Sequence, residues 1–564
     1  MFTIIVGPQF LIYNAIDPLL LHFLGTWKAH SIMLTRAKKD KQMTISEGIA
    51  HTGLFKRFQM MLLILLILSS ILTGIMTSQF QSLSVMQMVE CLSRDCESVL
   101  SSSFAYQKQS SEKICRMKEN EWKFSGSRLN WLTDFRLMCG NHYLIRLETS
   151  VYFTGFFASA FVFGYLCDRY GRRLISIFCS VCYIVLLLAL KYAVQLDSIF
   201  LLRFIAGGLH SGIFICLFVS LAEFNTQKNL WICCIIGSIA FSMGKSIMTF
   251  VAYDHVQWQG TFDVPIFIAV TAWGLCYVVL PETPFWFYAN GKELQALVSL
   301  NEVATMNRSS LLKDVSLVLH HRLGEDHYPM ATCTVTLKAP FMRLSLLYLA
   351  VCWFTSFTSY FLLDININFT KNSNEYFEMI VAGLSDVPLK VIMVFTAQKF
   401  GRNKTVSLFF TFFAIMMALG CIPNYILDSV LSQRAVSAEA VVVTIGKGCA
   451  GSLIPLLTVY TCELLPTLSR GTGLSLCLMA ASFSSILLPF ISTLDSIWWM
   501  SHRMFIVLLA VCSAVAVQWV PDTWNNQLPN NLTECELLFS RGRNYKPNND
   551  LEMETLLTYS SEED

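Results

Sequence analysis

Twelve apolar runs of roughly 18 to 25 residues, each long enough to cross a bilayer as a helix, constrain this chain more than any other feature. They fall at about 58–82, 146–166, 174–194, 198–220, 230–252, 264–281, 341–363, 377–397, 405–427, 436–460, 472–492 and 503–520. A short basic turn after the second run, Gly164 to Arg173 with Asp168, Arg169, Gly171, Arg172 and Arg173, is echoed after the eighth run by Gln398, Lys399, Gly401, Arg402 and Lys404, about 230 residues on. Two more landmarks repeat in the same order: Leu221-Ala222-Glu223 returns as Thr461-Cys462-Glu463, and Pro281-Glu282-Thr283 as Pro521-Asp522-Thr523. Three landmarks at nearly one offset predict a parallel internal duplication, an all-α membrane protein of two six-helix halves that rock around a central site. Composition agrees, since 14% charged residues over 564 positions are too few to coat a soluble globule of this size.

The net charge of +2 carries no argument for a nucleic-acid partner; the side on which Lys and Arg collect does carry information. Arg169, Arg172 and Arg173 follow run 2, Lys228 follows run 4, Lys399, Arg402 and Lys404 follow run 8, and Arg470 follows run 10. That side is cytoplasmic by the positive-inside rule. The organisation predicted is an extension and cytoplasmic segment over 1–57, a first half over 58–281 with an extracellular loop at 83–143, a cytoplasmic loop over 282–340, a second half over 341–520 and an acidic cytoplasmic tail over 521–564. Phe2 to Leu24 is apolar but holds Pro8, Asp17 and Pro18, so it reads as an extension, a re-entrant anchor or a thirteenth span. Four of the nineteen cysteines, Cys91, Cys96, Cys115 and Cys139, lie in the outer loop, where an even count predicts two disulfides with three pairings open.

The motif from Gly164 to Arg173 resembles the loop motif of the major facilitator superfamily. Pro281-Glu282-Thr283-Pro284-Phe285-Trp286 resembles the motif that sugar and organic-ion transporters share after helix 6. Tyr460-Thr461-Cys462-Glu463-Leu464-Leu465-Pro466-Thr467-Leu468-Ser469-Arg470-Gly471-Thr472-Gly473 is similar to the helix 10 to helix 11 signature of the organic cation and anion transporters, solute carrier family 22, as is the outer loop ending in Asp134 to Cys139. The resemblance covers about residues 43–535. It implies an alternating-access transporter of small organic ions. Asp168, Arg169, Arg172, Arg173, Glu223, Arg402, Glu463 and Arg470 are then expected as gating residues that bond helix ends in one conformation and release them in the other. Gln398 replaces the acid in the second copy, which predicts an unequal pair of gates.

Ionisable residues inside spans mark the transport path. Lys245 in run 5, Lys390 in run 8 and the central Lys447 in run 10 lie on helices that line the cavity in the resembled family. The acids Asp364 and Asp386 sit near span ends. An electropositive cavity follows, and with it an organic anion, a carboxylate or sulfate, as substrate. The segments around Lys390, Lys447 and Tyr360 resemble the anion branch, and Tyr253 matches a substrate-facing aromatic of helix 5. Ser482 stands where the cation branch places an aspartate and the anion branch an arginine, so the usual charge discriminator is absent; Ile454 replaces an expected aromatic. Substrate-binding candidates are therefore Lys245, Lys390, Lys447, Tyr253, Tyr360 and Ser482. A counter-anion is the expected exchange partner if an empty positive cavity closes poorly.

A cation or zwitterion carrier of the carnitine type and a non-transporting receptor derived from a transporter stay open beside this reading. A catalyst is excluded, because no span or loop presents a nucleophile with its base, a phosphate loop or a metal-ligand cluster; no metal or cofactor is expected. Asn368 is the sole sequon on the outer side and the one glycosylation candidate. The tail, with Leu556-Leu557 after Glu552 and Glu554, predicts a plasma-membrane protein with endosomal sorting.

Overall fold

In the computed structural model the described residues are 41–53, 56–84, 89–91, 122–124, 130–135, 143–312, 315–318, 338–365, 375–420, 432–492 and 501–523, with Leu137, Pro529 and Cys535. Ten helices among them are long and apolar enough to cross a membrane. In chain order the bundle consists of α1 (Arg57–Leu83), α2 (Tyr143–Tyr170), α3 (Arg172–Lys191), α4 (Leu196–Phe224), α5 (Gln227–Asp254), α6 (Asp263–Val279), α7 (Pro340–Ile365), α8 in two pieces (Glu375–Leu384 and Val387–Phe400), α9 (Arg402–Leu419), α10 (Ser432–Leu464), α11 (Arg470–Ile486) and α12 (Ser501–Ala516). The two of the twelve not among those ten are α9, which opens on Arg402-Asn403-Lys404, and α11, of 17 residues; they stand where runs 9 and 11 were expected, completing two sets of six.

Inside each half the contacts are local, α1 on α5 and α2 on α4 in the first, α7 on α10 and α9 on α12 in the second. The halves meet where α2 packs on α11 and where α5 packs on α8 and α10. Lipid gives helices no hydrophobic reason to associate, so shape and polar bonds hold such a bundle together. The expected run 8 is broken at Ser385-Asp386, because Pro388 in the first turn of the second piece disfavours helical geometry just before it. Asp386 sits at that break and Lys390 one turn after it.

The duplicated turn has a backbone cause. Gly171 and Gly401 start α3 and α9 with φ of 99° and 85°, conformations that L side chains rarely adopt. A side chain there would also run into a carboxylate, Glu282 at Gly171 and Asp522 at Gly401. At the end of the bundle where α1 begins, strand Lys41–Thr44 pairs in parallel with Val315–Val318, and Thr44 with Glu47 forms a capping box on helix Ile45–Thr52. Asn307 ties this cap to α1 by accepting the Phe58 amide at 2.8 Å and donating to Thr52 O and Gln59 Oε1, each at 3.1 Å. The strand begins at Lys41, two residues ahead of the boundary at Met43 that the sequence suggests for the core.

Candidate functional site

A cavity of about 110 Å³ lies between the halves. Its wall is mostly aromatic and aliphatic, with Phe153, Phe156, Phe214, Phe241, Phe357 and Phe361 among the lining side chains. The larger polar groups on it are Tyr152 and His210 from the first half and Tyr360 and Lys390 from the second, with the small hydroxyls of Ser69, Ser70, Thr73, Thr77, Ser238 and Thr458 between them. An apolar chamber with a few convergent polar groups is the usual form of a small-molecule site. Among the lysines expected there, Lys390 alone is on the wall.

Lys390 is buried and spends its ammonium on Asp386 Oδ2 at 2.9 Å, the carbonyl of Ser238 at 2.9 Å and Ser242 Oγ at 2.5 Å. Ser238 and Ser242 belong to α5, so this ammonium joins the two halves. Tyr360 donates to Asp386 Oδ2 at 3.3 Å. Behind its ring sits a second cluster. Lys245 is ion-paired with Asp364, and Lys447 bonds Asp364 Oδ1 at 2.6 Å and the carbonyl of Ala382 at 2.7 Å. Their ammonium groups stand 5.0 and 5.4 Å from the Tyr360 ring centroid.

This arrangement corrects the expectation of peripheral acids and a strongly positive cavity. Asp364 and Asp386 are buried partners of all three lysines, since burying an ammonium without a counter-charge costs far more than pairing it. Three cations against two anions leave an excess of one. Tyr253 is half-exposed at the end of α5 with its ring against Tyr376, outside the cavity wall. Ser482 is buried, but its hydroxyl donates to its own helix at Leu478 O, 2.7 Å away, and the wall residue from α11 is Leu478. Ile454 does lie on the wall.

The basic turns form a separate network. Asp168 on α2 accepts the amides of Gly471 and Thr472 at 3.1 and 2.8 Å and the Thr472 hydroxyl at 2.7 Å, capping α11 across the interface. Arg172 donates to Glu223 at 3.1 Å and to Thr467 O at 3.0 Å. Arg470, from the second half, donates to the same Glu223 oxygen at 2.8 Å. Glu282 accepts the amides of Arg172 and Arg173. Arg169 reaches the Tyr165 hydroxyl at 2.7 Å on the exposed side of α2, away from the interface network. In the second copy Arg402 pairs with Glu463 at 3.1 Å, Thr523 donates to Glu463 at 2.6 Å, and Asp522 accepts the Arg402 amide at 3.2 Å.

Sequence reasoning missed a third buried cluster, the pair Glu148–Arg203 and the chain Thr73–His210–Tyr152 beside it. The signal was present, because Glu148, Arg203 and His210 are polar residues inside predicted spans and deserved the scrutiny given to the lysines. The cysteines Cys96, Cys115 and Cys139, the side chain of Cys91, and Asn368 lie outside the described residues.

Comparison with known proteins fits this geometry. A family model described as sugar (and other) transporter matches residues 99–530. Rat solute carrier family 22 member 3 is 26% identical over 425 residues, covering 74% of each chain. Rabbit organic anion transporter 3 is 25% identical over 446 residues, covering 75% of this chain and 78% of its own; other relatives carry the name of organic cation transporters. The proton:xylose symporter XylE, a major facilitator superfamily structure, superposes with a TM-score of 0.57 at 15% identity over 86% of this chain and 99% of its own. With the match spanning both halves and the cavity between them, the chain belongs to the sugar (and other) transporter family, as a multi-pass membrane transporter of major facilitator fold whose relatives are members of solute carrier family 22.

Proposed function

We propose that the chain carries small amphipathic organic monoanions, carboxylates or sulfates, through the central cavity by alternating access. One observation carries this reading: among the described side chains of the lysine clusters, three ammonium groups face two carboxylates, and the lysine on the cavity wall is Lys390. An aromatic wall suits the apolar body of such a substrate, and a single excess cation suits a single negative charge.

The bonding of Lys390 supplies a coupling step. An ammonium has three donors, and here all three are occupied. An incoming anion must take one of them. If it displaces Ser238 or Ser242, it loosens α8 from α5 and so biases the halves toward separation, which is the differential contact that a ligand-driven population shift requires.

The test is uptake of labelled aryl sulfates, monocarboxylates, dicarboxylates, quaternary ammonium ions and zwitterions into cells expressing the full chain, with plasma-membrane delivery measured separately. Monoanions are expected to accumulate and Lys390→Ala to raise their half-saturation concentration about tenfold or more, the cost of a lost charge-assisted bond. Lys447→Ala, behind Tyr360, should act on delivery and turnover more than on half-saturation. Uptake of cations or zwitterions in preference to monoanions would overturn the reading, and a delivered chain that moves no probe would favour a receptor.

A further inference from the structure

On the first-half side of the cavity, His210 is held at both ring nitrogens. Thr73 Oγ1 lies 2.8 Å from Nε2, and its own proton is spent on the carbonyl of Ser69 at 2.7 Å. Thr73 therefore accepts, and Nε2 carries the hydrogen. Nδ1 lies 2.6 Å from the Tyr152 hydroxyl, which donates to it when the ring is neutral and accepts from it when the ring is protonated. In the neutral ring the basic lone pair on Nδ1 is covered by a phenol proton that can turn elsewhere.

There is a place for it to turn. Tyr183 on α3 has a fully buried hydroxyl that lies within reach of the Tyr152 hydroxyl and, among the described residues, makes no other hydrogen bond. A second cavity, of about 30 Å³, adjoins His210 and is lined also by Tyr183, Ser69, Ser180 and Trp273, whose indole N–H has no partner among the described residues. That volume and those polar groups match one buried water. A phenol that Tyr152 can turn to, an unpaired indole N–H and a water-sized void thus lie together beside His210.

We propose that His210 is a proton-binding site of the transport cycle, so that the anion moves together with a proton; this rests on the anion reading of the cavity. A proton from the outer solution adds to Nδ1, Tyr152 becomes the acceptor of the new N–H, and its own hydrogen turns toward Tyr183. On the inner side Nδ1 gives the proton back to water and Tyr152 turns back. No bond to carbon is made or broken, and one positive and one negative charge cross together.

The surrounding charges explain why the two would travel as a pair. Facing His210 are Tyr152 from α2, Tyr183 from α3, Arg203 on its own helix with Glu148 paired to it, and Lys390 from α8 across the cavity. Thr73 from α1 and Trp273 from α6 complete its surroundings and do not titrate. With the cavity empty, an imidazolium would face two ion pairs whose carboxylates, Asp386 and Glu148, are already spent on Lys390 and Arg203, and would add an unmatched positive charge. A bound anion supplies the missing counter-charge, and by linkage each ligand then raises the affinity for the other by the same factor.

Purified full-length chain in liposomes, loaded with a pH-sensitive dye, tests this with a labelled aryl sulfate that stays ionised throughout and so cannot cross as a neutral acid. With outer pH about 6 and inner pH about 7.5, a gradient worth about thirtyfold, sulfate is expected to accumulate and the lumen to acidify in step with it. In His210→Gln the ratio of uptake with the gradient to uptake without it should fall to one, whatever rate remains. Wild-type uptake that ignores the gradient and produces no acidification, or that requires a counter-anion inside, overturns the proton proposal while leaving the anion reading intact. Absence of sulfate uptake under every condition, with a quaternary ammonium ion transported by the same liposomes, overturns both. If His210→Gln does not fold, Tyr152→Phe serves in its place: by removing the group that covers Nδ1 it should shift the outer pH of half-maximal uptake, and an unchanged pH profile overturns the assignment to His210.

Discussion

The two copies of the basic turn share a backbone and differ in what they hold. In both, a glycine with positive φ starts a helix, a carboxylate 111 or 121 residues further on accepts the helix's first amides, and an arginine pairs with a buried glutamate. In the first copy the network crosses the interface: Asp168 caps α11, Arg172 reaches Thr467, and Glu223 is shared with Arg470. In the second, the pairs Arg402–Glu463, Thr523–Glu463 and Arg402–Asp522 join elements of one half. One substitution accounts for much of this, an exposed Gln398 where the first copy has Asp168. The two copies share one scaffold, and a single carboxylate ties the first across the interface, a contact we propose as a latch.

The sharpest way to break that comparison is to remove the two glutamates in parallel. A Glu223→Gln change leaves Arg172 and Arg470 facing a neutral amide in a fully buried site, and losing one member of a buried charge network typically costs about 3–5 kcal/mol. Glu463→Gln strips one arginine, and Thr523 can still bond the amide oxygen. Thermal unfolding in detergent should therefore fall much further for Glu223→Gln, and its surface delivery should drop with it. Equal losses would mean that the network across the interface is no stronger than the one within the second half.

Asp168→Asn addresses the latch itself. It preserves size and one acceptor oxygen but removes the charge from three bonds at the start of α11, each worth about 1.5–3 kcal/mol when charged. The residue touches neither Lys390 nor the cavity wall. Turnover is expected to fall about tenfold while half-saturation moves less than about twofold, because the change acts on one conformer's stability rather than on substrate contacts. Tracer exchange measured beside equilibrium binding separates these; matched losses in both would show that Asp168 reaches the substrate site.

What the sequence reveals divides along the same line. Span count and the repeated basic turns were legible because they depend on run length and on short motifs, which survive without coordinates. Partnerships were not. Asp364 looked peripheral because its distance from a span end says nothing about helix rotation, and α7 turns it toward Lys245 and Lys447. Lys447 looked like the central contact because it is mid-span, yet Tyr360 stands between it and the cavity. The break in α8 was readable at Pro388, but that it would aim Lys390 at α5 was not. His210 escaped notice through attention to charge count, although a histidine in the fourth run was visible throughout.

The smallest effect is expected where the comparison is restored rather than broken. The counterpart of the α11 terminus that Asp168 caps is the start of α5, where Thr226 makes no side-chain cap and its hydroxyl, like the Asn229 amide nitrogen, is buried without a hydrogen-bond partner. Gln398→Asp would supply the missing acid. Its side chain is exposed, however, and an aspartate is one methylene shorter, so reaching those groups requires α8 to move toward α5. Surface changes of this kind alter stability by about 0.5 kcal/mol or less. Turnover should therefore stay within about twofold of the unmodified chain, and combining Gln398→Asp with Asp168→Asn should not rescue the latter. Rescue would show that either copy can serve as the latch and that the asymmetry lies in the carboxylate alone, not in the packing around it.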